Sequence, residues 1–598
     1  MKKITLLLLL LCCFFSSYAQ KKVYAASYGL IPNTNQDCTP YLNKIFETIQ
    51  NEPEIELIIS AGNYHFYEEN AKYSTVVQSS VKQSMKSSIV LKNLQNVHID
   101  ANFASFIFHG AVQPFLFENC SNIKIRNLFV DFATPTLAEA EVVDVNETYF
   151  SIRLDSTLFP FTIRNNQLVF KMGNHLFKPF GFVEFNVDHN IVQPQTGDRI
   201  WYQNRVKLDS MGFIRVYHGD RSQFPKQGNW IVIRHGYGDH PGFLIHNSDH
   251  IVLQNINIYQ TAGVAIRAQN SKNLSFYSCS IVPYFSNNRK FLSSHEGGME
   301  FIACKGMIRI DNCETFALMG DAVKIAGTYA KITKCNRHKM KVTLPLPQIK
   351  HLDWAKEGET IAFVDSKTLI TYSTAIIKKI KKRGFQNYDI TFENPLPSTI
   401  QVGMVVENLA AYPDVVIQNS RFRSGSGRGL VLNGSGKFLI ESNIFETSGS
   451  AILFAGDAIQ TFESGPVDQV LIRKNIFRYS CLTSLYPSSE AVISIFPNMG
   501  ELNPDYPYHS NIRIENNNFF LFDYPVLYAK SVKGILFINN TLYRSNEFTP
   551  FHPNRFGVKL VGCKEAVVGN NKEIGEILGK NVVIEQMDPS EVNKKNNQ

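Results

Sequence analysis

The chain has 598 residues, with 60 Lys and Arg against 52 Asp and Glu and a formal net charge of +8. Over this length the excess of positive charge is mild. The chain has one dense basic block, Lys378–Arg383, which lies between apolar strand-like runs and is typical of a solvated hairpin. We therefore expect no nucleic acid partner. The ten cysteines include no CxxC pair and no His/Cys cluster, so the sequence predicts no zinc site and no cofactor.

The first 19 residues have the layout of a secretory signal peptide. Lys2 and Lys3 precede an apolar run that is too short to span a membrane, and Ser-Ser-Tyr-Ala follows. Cys12 and Cys13 follow leucines, whereas a lipoprotein signal has a small residue before its cysteine, so lipidation is disfavoured. We expect cleavage after Ala19, a mature chain without a membrane span, and a periplasmic, cell-surface or extracellular location in a bacterium.

A short helix is predicted next, over residues 39–51. Its apolar residues recur at helical spacing, and Thr39 suits the N-cap position. The run IELIISAGNYHF, which predicts a strand and a turn, follows the helix. A helix at this place would cap the open end of a repetitive β-structure and cover its unpaired edge.

Short strands then recur with a period near 23 residues, as between Phe422 and Phe445 and between Ile258 and Ile281. Each strand alternates apolar residues and ends in Asn or a small polar residue. A fixed period in the twenties with strand chemistry predicts a solenoid, and the Leu positions of leucine-rich repeats are missing. Asn tolerates a left-handed bend and can stack its amide on the next coil, so the fold class is all-β, a parallel β-helix.

Four cysteines, Cys279, Cys304, Cys313 and Cys335, lie roughly one repeat apart. This spacing predicts buried thiols stacked in successive coils rather than a disulfide framework. A bridge stays open as an alternative, because the exported compartment is oxidising.

Two stretches lack the Asn-rich pattern and carry many alternating strands, as in LITYSTAIIKKIKKRGFQNYDITF. They predict two β-barrel-like insertions, each of antiparallel strands. The predicted division is a signal peptide at 1–19, a cap with the first coils at 20–132, the first insertion at 133–240, coils with a candidate site at 241–335, the second insertion at 336–410, further coils at 411–585 and a polar tail at 586–598.

Two acidic residues, Glu296 in SSHEGGMEF and Asp321 in ALMGDAVKIAGT, lie about one coil apart. Equivalent residues of adjacent coils are about 4.8 Å apart along the axis. Their carboxyl groups would then be from a few to about 10 Å apart, a range that includes the separation suited to two-carboxylate glycoside hydrolysis. Gly-rich turns with acidic residues also occur at solenoid corners for conformational reasons alone.

Further polar residues follow in RGLVLNGS and AILFAGDAIQTFESGPV. Arg428, Asp457 and Glu463 would grip sugar hydroxyls from stacked turns, or would form an ordinary surface array of salt bridges. The segment RHGYGDHPG has two His and one Asp, but without further ligands it is typical of a polar turn, and no metal is expected.

Several of these runs resemble glycoside hydrolase family 110, the secreted bacterial exo-α-1,3-galactosidases acting on blood-group-B-type ends. The resemblance covers most of the mature chain through RHGYGDHPGFLI, SSHEGGMEF, ALMGDAVKIAGT, RGLVLNGSGKFLIESNIF and, most specifically, GSAILFAGDAIQTFESGPVDQVLIRKNIF. It implies a right-handed parallel β-helix with inserted β-barrel domains, inversion of the anomeric configuration, a glycan substrate and no metal.

The sequence departs from the family at its catalytic aspartates. The family has His-Asp-Asp-Gly in the first motif and Met-Asp-Asp-Pro in the second. Glu296 stands in place of the first Asp, Asp321 matches the second Asp of its pair, and Gly320 replaces a carboxylate. Glu300, two alternations along the same predicted strand, compensates if it faces the same side.

We therefore assign Glu296 and Asp321 as the acid and base, with the two roles open. The more desolvated carboxyl would have the raised pKa and act as the acid, whereas a cation at Lys324 would favour the base role for Asp321. The residues expected to position the sugar are His295, Glu300, Lys324, Arg428, Asp457 and Glu463. Two alternatives are a glycan-binding homologue without hydrolysis and a hydrolase or lyase of an acidic polysaccharide; the oligomeric state stays open.

Overall fold

The computed structural model describes residues 21–73, 85–201, 204–236, 238–346, 349, 352–423, 425–483 and 486–595. The predicted signal peptide at 1–19, with Cys12 and Cys13, and the end of the polar tail lie outside the described residues. Within them, strands predominate and there is a single α-helix, Thr39–Ile49. No helix among the described residues is long and apolar enough to cross a membrane.

Most strands form a parallel β-helix in which each coil pairs with the next. Val415, for example, pairs with Phe438, and Phe438 pairs with Val470. Alternate residues of these strands are buried in one continuous apolar core, because the two faces of a strand alternate. The predicted solenoid is therefore confirmed.

Two sheets run along the β-helix. Sheet A has 23 strands: Lys21–Tyr24, Ile55–Ile58, Asn63–Tyr67, Gln95–His109, Ser121–Phe132, Asp249–Ile258, Lys272–Tyr277, Ser280–Ile281, Lys305–Asp311, Glu314–Thr315, Asp414–Gln418, Arg421–Arg423, Phe438–Glu441, Ile444–Glu446, Val470–Arg473, Ile476–Arg478, His509–Glu515, Asn518–Leu521, Val532–Ile538, Thr541–Arg544, Ala566–Gly569, Lys572–Ile574 and Val592–Lys594. Sheet B has 14 strands: Lys72–Tyr73, Lys86–Lys92, Gln113–Glu118, Phe243–His246, Ile266–Gln269, Met299–Ile302, Val323–Thr328, Leu430–Leu432, Ile452–Phe454, Glu463–Ser464, Ile493–Ile495, Leu527–Lys530, Val558–Val561 and Val582–Glu585.

Two groups of antiparallel strands interrupt the coils. The first insertion comprises Leu137–Val145, Phe150–Leu154, Phe161–Arg164, Gln167–Met172, His175–Phe177, Gly181–Asn186, Ile191–Val192, Arg199–Ile200, Arg205–Leu208, Ile214–Tyr217 and Trp230–Arg234. The second is a closed barrel of Ala330–Cys335, Lys339–Thr343, Thr360–Val364, Thr371–Arg383, Asn387–Phe392 and Val405–Asn408. This barrel starts at Ala330 and not at the predicted residue 336. Only one residue, Tyr329, separates its first strand from the last coil strand, Val323–Thr328.

The helix Thr39–Ile49 caps the first coils. Its apolar residues belong to the same buried cluster as the coil interior. The side chain of Asn43 donates to the carbonyl of Ser88 at 2.7 Å and accepts from the amide of Val90 at 2.9 Å, which fixes the helix against sheet B. The prediction of Thr39 as N-cap is wrong: Cys38 is the N-cap residue, and the amide of Thr39 donates to the carboxylate of Asp37.

A ladder of buried asparagines connects the C-terminal coils at one corner of sheet A. Each amide donates to the side-chain oxygen of the next, at 3.0 to 3.1 Å, through Asn443, Asn475, Asn517, Asn540 and Asn571. The residue that adopts positive φ is the one before each of them, in turn Ser442, Lys474, Asn516, Asn539 and Asn570. The sequence analysis predicted that a single Asn makes the left-handed bend and stacks its amide on the next coil. In the structure the bend lies at one residue and the stacked amide at the next.

Replacing Asn517 by Leu is expected to lower the free energy of unfolding by about 1–3 kcal/mol, since the buried amides of Asn475 and Asn540 each lose one hydrogen bond. Asn517 also donates to the carbonyl of Ile472, so the loss extends to the coil below it. Chemical denaturation checks this, with the exposed Lys437→Ala as the matched control. A decrease no larger than that of the control would contradict a structural role for the ladder.

All cysteines among the described residues are free. Cys279 and Cys313 are buried at the same corner of the β-helix as the asparagine ladder, in earlier coils. The amide of Cys313 donates to the hydroxyl of Ser420, and the amide of Ser420 donates to the side chain of Asn443, the first residue of the ladder. Cys304 is buried at the other corner, between sheets B and A. The prediction of a stacked thiol is wrong for Cys335, because this residue ends the first strand of the second barrel.

Candidate active site

The motif SSHEGGMEF leads into a strand of sheet B, Met299–Ile302. Glu300 lies in register with Arg267 on the preceding coil and with Lys324 on the following coil. Met299 and Phe301 are buried in the core, so these three charged residues share the outer face. The β-helix thus places opposite charges side by side at the spacing between coils.

An ion-pair row runs across this outer face. Nε of Arg267 donates to Oε2 of Glu300 at 2.6 Å, and Nζ of Lys324 lies 4.0 Å from the other oxygen of that carboxylate and 2.5 Å from Oε1 of Glu463. Burial alone would raise the pKa of Glu300, but the charges of Arg267 and Lys324 outweigh it and hold that pKa below its usual value. The pKa of Lys324 is raised, because its two carboxylate partners outweigh its burial.

Asp321 is held by Arg428 from the next coil in a two-pronged ion pair. Its Oδ1 accepts from Nε at 2.8 Å and from the backbone amide of Arg428 at 2.9 Å, and its Oδ2 accepts from Nη2 at 2.9 Å. Burial would raise the pKa of Asp321, but Arg428 and, more weakly, Lys324 lower it below the usual value. Asp321 is therefore an ionised carboxylate with a fixed orientation.

Glu296 has the opposite electrostatic environment. Burial raises its pKa to about 7, although Arg234 and Arg267 oppose the rise. Its Oε1 lies 3.5 Å from Nη2 of Arg234, a residue of the first insertion, and 40 % of the side chain remains exposed. This carboxyl can therefore hold a proton near neutral pH and still contact a substrate.

Close backbone packing brings the two acidic turns together. A Cβ on Gly297 would lie 2.6 Å from the carbonyl oxygen of Asp321, and one on Gly320 would lie 2.9 Å from the amide nitrogen of Gly297. Both positions require glycine because the backbones of adjacent coils are in contact. Gly320, which stands where the family has a carboxylate, thus belongs to this contact.

His295 lies beneath Glu296 rather than beside it. It is 1 % exposed, and its ring packs edge-on against Phe180 with centroids 6.0 Å apart. The RHGYGDHPG segment approaches both residues, since a Cβ on Gly238 would meet Oε1 of Glu296 at 2.9 Å and Nδ1 of His295 at 3.3 Å. The described residues of this segment, 234–236 and 238–242, therefore form part of the wall of the site.

Asp457 stabilises its own turn. It is buried, and its carboxylate accepts from the backbone amides of Ile459, Gln460 and Thr461. Its backbone amide donates to the carbonyl of Glu463 at 3.0 Å. These contacts indicate that Asp457 orients the strand that carries Glu463 towards Lys324.

Five further residues around the site were not singled out from the sequence: Arg234, Arg267, Asp198, Ser426 and Tyr486. Nη1 of Arg234 lies 3.2 Å from Asp198, Asp198 accepts from the hydroxyl of Ser426, and the hydroxyl of Tyr486 donates to Ser426 at 2.9 Å. They connect the first insertion to the later coils. Arg234 is the first residue of RHGYGDHPG, so this motif is the feature of the sequence that could have identified it.

The described residues contain no group of three or more His, Cys, Asp or Glu side chains that could hold a metal ion. The site's charged groups are instead paired with one another.

Comparison with known proteins identifies the family. Residues 138–231 match the family described as GLAA-B beta-barrel domain I, and residues 339–406 match GLAA-B beta-barrel domain II. The chain is 36 % identical to alpha-1,3-galactosidase B of Bacteroides thetaiotaomicron, over 99 % of this chain and 97 % of the relative.

Two further relatives have related names. Identity is 30 % to alpha-1,3-galactosidase B of Akkermansia muciniphila, covering 92 % of this chain and 69 % of that protein, and 28 % to alpha-1,3-galactosidase A of Bacteroides fragilis strain YCH46, covering 96 % of both. The similarity to the first relative extends over both insertions and the coils that carry the site. The chain therefore belongs to glycoside hydrolase family 110, the family of these α-1,3-galactosidases.

Proposed function

We propose that the protein is an exported exo-glycosidase that removes terminal α-1,3-linked galactose from glycans with inversion. The names of the relatives support the sugar and the linkage. The observation that carries the chemistry is the contrast between Glu296, whose pKa is raised to about 7, and Asp321, whose pKa is lowered. Two carboxyls with pKa values moved apart suit the two halves of acid–base glycoside hydrolysis.

Glu296 is the general acid in this proposal. With a pKa of about 7, roughly half of the Glu296 carboxyls carry a proton at neutral pH, and this protonated form donates it to the glycosidic oxygen as the bond to the anomeric carbon breaks. The leaving sugar becomes an alcohol, and positive charge develops on the galactose ring. Nη2 of Arg234, 3.5 Å from Oε1 of Glu296, stabilises the carboxylate that forms when Glu296 has given up its proton.

Asp321 is the proposed base. An ionised carboxylate on the far side of the ring would accept a proton from the water that attacks the anomeric carbon, giving β-galactose. Its three hydrogen bonds from Arg428 fix its direction and also lower its basicity. Glu300, ionised and on the same outer face, is the alternative base.

The row of Arg267, Glu300, Lys324 and Glu463 is proposed to bind the galactose hydroxyls. Each of these side chains is at least partly accessible and presents a charged hydrogen-bonding group. Charge-assisted hydrogen bonds to hydroxyls are stronger than neutral ones and fix the orientation of a sugar. His295 would act indirectly, by supporting the turn of Glu296.

The activity should decrease as the pH rises through about 7. Glu296 must be protonated to act as the acid, so kcat/KM is expected to be high below its pKa and to fall about tenfold for each pH unit well above it. A pH–rate profile measures this limb. An alkaline limb that lies above pH 9 would contradict the assignment of Glu296 as the acid.

Galactose release followed by NMR tests the function itself. The substrates are terminal α-1,3-, α-1,4- and α-1,6-galactosyl oligosaccharides, and the first anomer formed is recorded before mutarotation. Initial β-galactose from the α-1,3-linked substrate supports the proposal. Initial α-galactose would contradict inversion, and no release from any of these substrates would contradict the galactosidase assignment.

A second candidate is a glycan-binding protein without turnover. The observation in its favour is that both oxygens of Asp321 are already bonded to Arg428, while Gly320 replaces a family carboxylate. Binding of the α-1,3-galactosyl oligosaccharide, measured by titration calorimetry, without release of galactose would support this candidate.

A further inference from the structure

A pocket of about 270 Å³ opens in the first insertion beside the site. We call it the Phe180 pocket, and the residues lining it that matter here are Gln167, Leu168, Lys178, Phe180, Trp201 and Asn204. Leu168 and Trp201 form a buried apolar floor, whereas Lys178 and Phe180 are exposed. An apolar floor with a few polar groups around it is typical of small-ligand sites.

Phe180 joins this pocket to the catalytic centre. The residue is 42 % exposed, and the centroid of its ring lies 6.0 Å from that of His295 and 5.4 Å from the guanidinium carbon of Arg234. Arg234 in turn contacts the carboxyl of Glu296. One aromatic ring therefore borders both the pocket and the residues around the proposed acid.

Asn204 lines the pocket and carries a buried donor without a partner among the described residues. The residue is 4 % exposed, and among the described residues its Nδ2 has no hydrogen-bond partner. A buried amide without a partner is unfavourable, so such a group in a residue that lines a pocket points to a ligand acceptor. A hydroxyl or ring oxygen of a sugar is an acceptor of the right kind.

We propose that the Phe180 pocket binds a pyranose on the leaving-group side of the scissile bond. In an exo-enzyme the galactose is terminal, so any further sugar lies on the side that the acid protonates, which is the side of Glu296, Arg234 and Phe180. An aromatic ring suits the C–H face of a pyranose, while Asn204, Gln167 and Lys178 suit its hydroxyls. This inference rests on the proposed function.

The test compares substrates with and without the second sugar. The wild type and Asn204→Ala are assayed on a trisaccharide carrying α-1,3-linked galactose on lactose and on p-nitrophenyl α-galactoside. The ratio of kcat/KM for the trisaccharide to that for the aryl galactoside is expected to fall about tenfold in the variant, the factor that one hydrogen bond of a buried group contributes.

Two further variants make the result decisive. Lys178→Ala, at the exposed rim, is expected to lower the same ratio about threefold and decides the matter if Asn204→Ala does not fold. Lys207→Ala, exposed on a strand of the same insertion, is the matched control. Ratios within twofold of the wild type for every folded pocket variant would overturn the inference.

Failure of the pocket and failure of the proposed function give different results. If galactose is released but the ratio does not respond, only the pocket assignment is wrong. If no galactose is released, titration of the trisaccharide into Glu296→Gln decides: a dissociation constant weakened about tenfold by adding Asn204→Ala supports the pocket, and an unchanged constant or absent binding overturns it.

Discussion

Replacing Glu296 by Gln is expected to lower kcat for an α-1,3-galactosyl oligosaccharide by about 10²- to 10⁴-fold, the usual contribution of a positioned general acid. The amide keeps the size of the side chain but cannot donate the proton that the glycosidic oxygen needs. The loss should be smaller on p-nitrophenyl α-galactoside, because a phenolate leaves without protonation. Steady-state kinetics on both substrates measure the difference.

Glu314→Gln is the matched control for this variant. Glu314 lies on sheet A and its side chain is also 40 % exposed, so the same chemical change is made away from the site. We expect its kcat to stay within twofold of the wild type. A loss below tenfold for Glu296→Gln on the oligosaccharide would remove Glu296 from the acid role.

Replacing Arg428 by Ala is expected to lower the free energy of unfolding by about 3–5 kcal/mol, because it leaves the Asp321 carboxylate buried without its partner. The same variant should lose most activity, since Asp321 loses its orientation and its pKa rises when the opposing cation is removed. Chemical denaturation and galactose release measure the two effects.

The double variant Arg428→Ala with Asp321→Asn separates these causes. Removing the unpaired charge should restore part of the lost stability but none of the activity. Lys72→Ala, which breaks an ion pair with Glu47 whose side chains are both more than half exposed, is the control and should cost no more than about 1 kcal/mol. An Arg428→Ala protein as stable as this control would contradict the structural role of the pair.

The sequence predicted the β-helix because its coils repeat. A strand such as Val470–Arg473 carries the same alternation as the strands before and after it, and periodicity is a local property of the chain. The pairing of Glu300 with Lys324 across coils follows from the same periodicity, because residues in register lie on the same face. Glu296 and Asp321 were found through their motifs, and their roles as acid and base stay predictions.

The residues supplied by the first insertion could not be found in this way. Arg234 reaches Glu296, and Asp198 reaches Ser426, only because of how the antiparallel strands fold back onto the coils. The first insertion has no sequence repeat from which the positions of these two side chains could be predicted. Likewise, the preference of Arg428 for Asp321 over a sugar depends on side-chain geometry, which spacing alone does not determine.

The two insertions also determine when the site can form during folding. Strand Lys305–Asp311 pairs with Asp414–Gln418, and strand Ser121–Phe132 pairs with Asp249–Ile258, so each insertion separates two neighbouring coils by roughly a hundred residues of chain. Asp321 has no Arg428 until the chain after the second barrel folds back onto the coil before it. The β-helix therefore cannot grow one coil at a time through its centre, and Asp321 stays without its ion-pair partner until that closure occurs.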